Sequence, residues 1–476
     1  MKKYSIIISL FFCTLASCTK DISRFNEEQK LAANVPASTL FSQGVRQLSD
    51  VLAIPNVNYN VLRLTVQHWA TTTYQDEPNY DFTTRNIPQT FWIELYRDVL
   101  SNLQESKRLV PSDNTITEGV QNNQVAIADI MQVYAFSVLV NTFGDVPYSE
   151  ALDPNNLFPK YDDAQTIYND LLRRLDEDIA ALNTASAGFS ASADIVYGGD
   201  VAKWIKFANS LKMKLAMTIA DVDAAKAKAA VEEASPKAFT SAADNAIVQY
   251  YAATPNNNPI WGDLINSKRQ DFVAAEALVN TLKTANDPRL PIYFKPNDNG
   301  VYVGGVVGEN NTYSNFAKPG TKLEDPALPN LLLSYDEIEF YRAEAIERGF
   351  NVSGTAAEHY NNAIRASILY WGGTDAQASA YLAQPAVAYA TAAGNYKQKI
   401  GTQKWIALYN RPVDAWTEVR RLDYPVLAPP SQAKSGYPNR LPYPTNEQTL
   451  NNANYTAAAA KIGTDKVETK IFWDKF

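Results

Sequence analysis

The sequence predicts an all-α, mainly helical fold, in which tetratricopeptide-like helix pairs support a loop-rich region with one minor β-hairpin. Three observations predict it. Apolar residues recur at helical spacing through most of the chain after residue 40. Capping residues open these segments, and glycine or proline closes them. One segment is apolar on nearly every side, as a buried helix is.

In chain order, residues 19–40 are polar, with Asn26-Glu27-Glu28-Gln29-Lys30, and suit a tether. Residues 91–110 place Trp92, Leu95, Tyr96, Val99 and Leu103 on one helical face. Residues 123–143 carry Ile127, Ile130, Met131, Tyr134, Phe136 and Leu139 around the whole helix, and Gly144 follows as a left-handed cap. Asp162, with Gln165 three residues on, is expected to cap a helix that buries Ala164, Tyr168, Leu171, Leu175, Ile179 and Leu182. Asp200 caps the next, whose stripe is Trp204, Phe207, Leu211, Leu215 and Ile219. Ser334 with Glu337, and Thr355 with Glu358, form two further capping boxes; their helices stop at Gly349 and Gly372-Gly373. Residues 403–409 form another helix that breaks at Pro412, and its successor carries Trp416, Val419 and Leu422. Helix pairs in series suggest a solenoid-like stack, though no strict tetratricopeptide consensus or fixed period is present. Between them lie irregular stretches at 71–90, 184–199, 236–270, 286–333 and 424–454. The expected hairpin turns at Asn297-Asp298-Asn299-Gly300, between Tyr293-Phe294 and Val301-Tyr302-Val303.

The start of the chain has a different character. Lys2 and Lys3 precede a short apolar run from Tyr4 to Phe12, and then come Leu15-Ala16-Ser17-Cys18. A basic start, an apolar middle and small residues at the cut describe a secretory signal peptide. The tetrapeptide resembles a bacterial lipobox, in which the cysteine takes lipid and becomes the first mature residue. An ordinary signal peptide with an incidental cysteine is the alternative. The expected divisions are a signal peptide at 1–17, a lipidated N-terminus and tether at 18–40, and one helical domain at 41–476. Thr19 after Cys18, rather than Asp, favours the outer membrane by resemblance to lipoprotein sorting. The two cysteines are Cys13 and Cys18, so cleavage and lipidation leave no thiol for a disulfide or a metal site.

A net charge of −8 without a long basic cluster disfavours nucleic acid as a partner. The two histidines, His68 and His359, have no partner at metal-ligand spacing. No Gly-x-Ser-x-Gly motif occurs. Gly304-Gly305-Val306-Val307-Gly308 lacks the Lys-Ser/Thr of a phosphate loop. Pairs of carboxylates suitable for glycoside hydrolysis arise by chance among 51 acids, and those in Asp162-Asp163 and Asp336-Glu337 are explained as first-turn helix charges. No catalytic residue, cofactor or metal is therefore assigned.

Across its length the chain resembles the SusD/RagB outer-membrane nutrient-binding lipoproteins, in their second SusD-like subgroup. The resemblance is carried by Thr142-Phe143-Gly144-Asp145-Val146-Pro147-Tyr148-Ser149-Glu150-Ala151 and by Tyr197-Gly198-Gly199-Asp200-Val201-Ala202-Lys203-Trp204. Gln403-Lys404-Trp405-Ile406-Ala407-Leu408-Tyr409 and Ala415-Trp416-Thr417-Glu418 follow. Arg420-Arg421-Leu422-Asp423-Tyr424-Pro425 and the ending Phe472-Trp473-Asp474-Lys475-Phe476 complete the set. It implies four tetratricopeptide-like helix pairs and a non-catalytic protein that captures an oligosaccharide or other oligomeric nutrient. It also implies a partner, a SusC-like TonB-dependent outer-membrane transporter that receives the cargo. A surface-anchored glycosidase or peptidase, and a RagB-like peptide binder, are the alternatives.

Ligand residues are sought among aromatics that helix faces do not need. Sugar rings present apolar C–H faces that stack on flat side chains, and loop aromatics can equally plug the core or meet a partner. The candidates are Trp69, Tyr74, Tyr80 and Arg85 in one stretch, Trp261 in the second, and Tyr293, Tyr302 and Tyr313 in the third.

Overall fold

The structure, a computed structural model, describes residues 35–474. The signal peptide, Cys18 and most of the tether lie outside the described residues. From Ala37 onward the chain is one unit.

Helix α1 (Ala37–Ala53) begins inside the stretch 18–40 and buries Phe41, Val45, Leu48 and Leu52 at helical spacing. It packs on a helical run at 87–109, α2, formed by Ile87–Ile93, a π-helical segment Glu94–Leu100, and Ser101–Leu109. Helix α3 (Glu118–Phe143) is long and apolar enough to cross a membrane, but 94 % of its apolar window is buried by neighbouring elements. It is a core helix, as its all-round apolar sequence predicts. Gly144 ends it at φ 86°.

Helix α4 (Ala164–Ala181) is capped by Asp163, whose carboxylate accepts from Thr166 N at 2.8 Å. The expected cap, Asp162, sits one residue too early and accepts from Ser149 N instead. Asp200 caps α5 (Val201–Thr218) as expected. Helices α6 (Ala224–Ala234) and α7 (Glu276–Thr284) follow. Ser334 does not cap α8 (Tyr335–Glu347) through its side chain. Its supposed reciprocal partner, Glu337, is buried and ion-paired with Arg411 at 2.7 Å and Lys214 at 3.0 Å. The Thr355–Glu358 capping box does form, opening α9 (Ala356–Trp371), which Gly372 closes at φ 101°. Helices α10 (Asp375–Leu382), α11 (Tyr396–Ala407) and α12 (Pro412–Leu422) complete the scaffold, with Pro412 at a first-turn position that needs no N–H. Two short helices, α13 (Thr445–Leu450) and α14 (Asn452–Lys461), lie near the end.

The pairs α3/α4, α5/α6, α8/α9 and α11/α12 each pack together, and α5, α8 and α11 join one pair to the next. Charges lie at these junctions. Arg421 of α12 reaches Glu344 of α8 at 2.5 Å and Glu418 at 2.6 Å, while Lys404 of α11 lies 3.0 Å from Glu418. All four are buried, so each depends on its partner to offset desolvation. Burial pushes the Lys404 amine down to about 8. Arg420 lies over the Trp416 ring at 3.5 Å.

Among the described residues, eight short strands form four two-stranded antiparallel sheets: β1 (Trp69–Thr71) with β5 (Phe272–Ala274), β2 (Val146–Pro147) with β3 (Tyr161–Asp162), β4 (Ala246–Val248) with β8 (Asn330–Leu333), and β6 (Phe294–Lys295) with β7 (Lys318–Pro319). The Asn-Gly turn forms, with Asn297 N on Val301 O at 2.9 Å. Its flanks do not pair as the expected hairpin. Phe294 and Lys295 pair instead with β7, and the chain after the turn leaves to meet Ala274 and Ala317.

Candidate functional site

Four irregular segments are tied together by hydrogen bonds. The β1–β5 pairing sets residues 72–86 beside 262–271, and Thr72 N continues the pairing onto Asp271 O at 2.9 Å. The glycine-rich segment 304–308 lies over the start of α7. Gly305 N donates to Ala274 O at 2.8 Å, and Glu276 N donates to Gly305 O at 2.9 Å. A Cβ on Gly304 would stand 2.4 Å from the Glu276 Cα, so this segment is glycine because backbone meets backbone. Asn311 is buried and fastens two segments at once. Its amide donates to the carbonyls of Thr71 and Val306, both at 2.9 Å, and its carbonyl accepts from Val306 N at 3.0 Å. Asn79 links a third, its side-chain amide donating to Gly308 O at 2.9 Å while its backbone carbonyl accepts from Lys434 N at 2.8 Å. Ser431 donates to Glu309.

The candidate residues divide by burial. Trp69 is 0 % exposed; its indole donates to the Tyr409 hydroxyl at 2.9 Å and its ring lies under Arg63. Tyr293 is also 0 % exposed, stacked on Tyr409 with centroids 4.1 Å apart. Tyr80 is 3 % exposed, edge-on to Tyr437, and burial pushes its hydroxyl up to about 12. These three are corrected from ligand candidates to core residues, since none presents a ring face to solvent. Trp69 lies in a strand, Tyr293 at the end of a one-turn helix and Tyr80 in a left-handed turn, and each packs on a partner distant in sequence.

The other five keep exposed surface. Trp261 is half-buried at the end of a one-turn helix whose cap, Asn258, accepts from Ile260 N at 2.8 Å. Tyr302 is half-buried, with its carbonyl held by Lys283 at 3.0 Å. Tyr313 is half-buried against a small apolar cluster that includes Ala70, Val273 and Val307. Tyr74 and Arg85 come together. Two guanidinium groups stand near the half-buried Tyr74 ring, Arg85 at 4.9 Å and Arg269 at 5.4 Å from its centroid. Arg269 also donates to the Tyr74 hydroxyl and to Asp271 at 2.6 Å. Arg85 pairs with Glu77. Burial raises the Glu77 carboxyl's pKa, against the pull of Arg85. Cations over an aromatic face fix the ring's position at a cost to its mobility. The result is a held aromatic ledge bordered by hydrogen-bond donors.

Close by in the network lies an open groove of about 530 Å³, between the start of α7, Val306-Val307 and residues 425–431. Its volume is within the range of small-molecule sites. Gln67, Asn280 and Thr281 supply polar atoms, and Val306 and the largely exposed Val426 supply apolar surface. Sequence reasoning missed this groove, together with Arg269 and Asp271. The run Pro425-Val426-Leu427-Ala428-Pro429-Pro430 was its legible signal, a proline-stiffened wall without aromatics.

The histidines are structural. His68 is 0 % exposed, its ring nitrogens facing the carbonyls of Tyr409 and Trp405 at 3.1 Å, and burial followed by the Arg63 charge pushes its pKa down to about 3. His359 Nδ1 meets Glu339 at 2.9 Å between α8 and α9.

The SusD-like family described as starch-binding, associating with outer membrane, matches residues 28–444. A solved structure named a chitin-binding protein is 28 % identical, with a TM-score of 0.80, covering 92 % of this chain and 100 % of its own. A SusD homologue from Bacteroides uniformis is 29 % identical, with a TM-score of 0.79, over 92 % of this chain and 99 % of its own. A chitin-binding SusD homologue from Flavobacterium johnsoniae, at 24 % identity, shares the fold with a TM-score of 0.79 over 91 % of this chain and 98 % of its own. No curated protein matches the sequence. Since the family match spans most of the sequence and the fold agrees throughout, the chain belongs to the SusD-like family.

Proposed function

We propose that this protein is a lipid-anchored outer-membrane protein that binds an oligosaccharide on its loop face and hands it, unaltered, to a SusC-like TonB-dependent transporter. The observation that carries the binding reading is the ledge at Tyr74, a half-exposed ring held by Arg85 and Arg269, on a segment that Asn311 ties through Thr71 to Val306 of the groove wall. A pyranose ring has an apolar face for the tyrosine and hydroxyls for the guanidinium and amide groups around it. The family description names starch, and a similar structure is named for chitin binding; both are uncharged glycans of six-membered rings. Trp261, Tyr302 and Tyr313 are further candidate contacts on the same irregular segments. The lipid anchor at Cys18 and the delivery step rest on the lipobox and on the family resemblance.

The test has two parts. Calorimetric titration with malto- and chito-oligosaccharides is expected to give saturable binding to at least one series, with the sugar recovered intact. Affinity capture through a C-terminal tag, from detergent-solubilised outer membranes, is expected to bring down a barrel protein of TonB-dependent size. Turnover of the sugar, or capture without any barrel protein, contradicts the respective part.

A further inference from the structure

We propose that the groove between α7 and residues 425–431 selects an oligosaccharide bearing free amino groups, with Glu276 facing the ammonium. This deepens the glycan-binding reading and rests on it. Among the residues lining the groove, Glu276 is the sole ionisable side chain. It is exposed at the first turn of α7, where Asn280 donates to its carboxylate at 3.3 Å. The helix dipole accounts for an acid at this position but not for the lack of an opposing cation in the lining. Lys283, farther along the same helix and outside the lining, donates to the Tyr302 carbonyl. At the rim, Ser431 is bonded to a second acid, Glu309.

The opposite wall points the same way. Pro425, Pro429 and Pro430 bring no N–H donor to it. The side-chain donors of the lining are already engaged, Gln67 on the Ala428 carbonyl, Asn280 on Glu276, Thr281 on the Ala277 carbonyl, Trp405 on the Val66 carbonyl and Ser431 on Glu309, so the groove offers a ligand a carboxylate and few free donors. A sugar carrying ammonium groups supplies both the donors and the charge that it lacks, and an acidic sugar meets only repulsion. Val306 and Val426 offer apolar surface to the ring faces of such a chain.

The experiment is calorimetric titration of the full chain, at a pH below the amine's own pKa. The ligands are a glucosamine hexamer, its N-acetylated counterpart, a galacturonate oligomer and a lysine peptide of matched length. Glu276→Gln is expected to weaken the glucosamine hexamer by about two- to five-fold, the worth of an exposed ion pair. That loss should shrink with added salt, and the N-acetylated hexamer should be unaffected. Asn280→Asp adds a carboxylate one turn on and is expected to tighten the glucosamine hexamer, which keeps the test open if the first variant folds poorly. Equal effects on both hexamers, no effect on either, or a preference for galacturonate overturns the proposal while leaving glycan binding intact. Binding of the lysine peptide with no oligosaccharide bound overturns the glycan reading and this proposal with it.

Discussion

Residue by residue, the difference between a binding aromatic and a core aromatic is what lies behind the ring. Tyr74 has two cations near its ring and keeps part of its surface free, whereas Trp69 is closed in by Arg63, Phe272 and Tyr409. Tyr74→Ala is expected to weaken oligosaccharide binding by about 1–3 kcal/mol, the range for ring stacking on aromatic side chains, with the melting temperature little changed. Trp69→Ala is expected to cost about 3–5 kcal/mol of stability, read as a loss of urea midpoint. The reverse pattern would exchange their roles. The sequence displayed both rings as surplus to the helices, and that criterion was blind to long-range partners such as Tyr409. His359 gives a second prediction. Burial lowers its pKa, but the bond to Glu339 and the Ser353 carbonyl outweigh burial and raise it. A raised histidine pKa contributes stability that is full below the unfolded value and is lost as pH rises through the folded one. Glu339 is shifted down, so its share is lost only as the solution becomes strongly acidic. The stability gap between the native chain and His359→Gln should thus be wider in mildly acidic buffer than in alkaline buffer; a gap that widens with alkalinity would refute the pairing.

Among elements, local signals and distant ones fared differently. Asp200, Thr355 and Gly372 act within a turn of their own positions, and each was legible. Asp162 missed by one residue because its neighbour Asp163 offers the same chemistry. The strands were hidden because β1 pairs with β5 some 200 residues away (Trp69 opposite Ala274), and no local period announces such a partner. The loop face was likewise legible as four irregular stretches but not as one surface, since its assembly depends on single side chains such as Asn311. Asn311→Ala leaves buried backbone groups without partners, which costs about 1–3 kcal/mol, and it should weaken oligosaccharide binding as the two segments part. Thr355→Ala on the far scaffold should cost about 1 kcal/mol through its cap and leave affinity unchanged. Chemical denaturation and titration on both variants separate the cases; equal affinity loss in the two would deny Asn311 its positioning role.

As a whole molecule, a stack of helix pairs provides a stiff base, and its buried ion pairs tie α5, α8, α11 and α12 together. On that base the chain can hold several irregular loops in register without disulfides, which its two cysteines, both before residue 19, could not supply. The lipid anchor proposed at Cys18 carries a prediction of its own. Cys18→Ala is expected to yield a folded protein recovered from the soluble fraction after cell disruption, with unchanged helical circular dichroism. Finding that variant still sedimenting with the outer membrane would remove the anchor.

Binding without turnover is the central claim, and direct titration reaches it first. The purified protein is titrated calorimetrically with malto- and chito-oligosaccharides, and the sugar is then recovered and sized by chromatography. The account predicts saturable heat for at least one series, loss of affinity in Tyr74→Ala, and sugar of its original length. Flat titrations for every oligosaccharide, or shortened products in the recovered sugar, would contradict it.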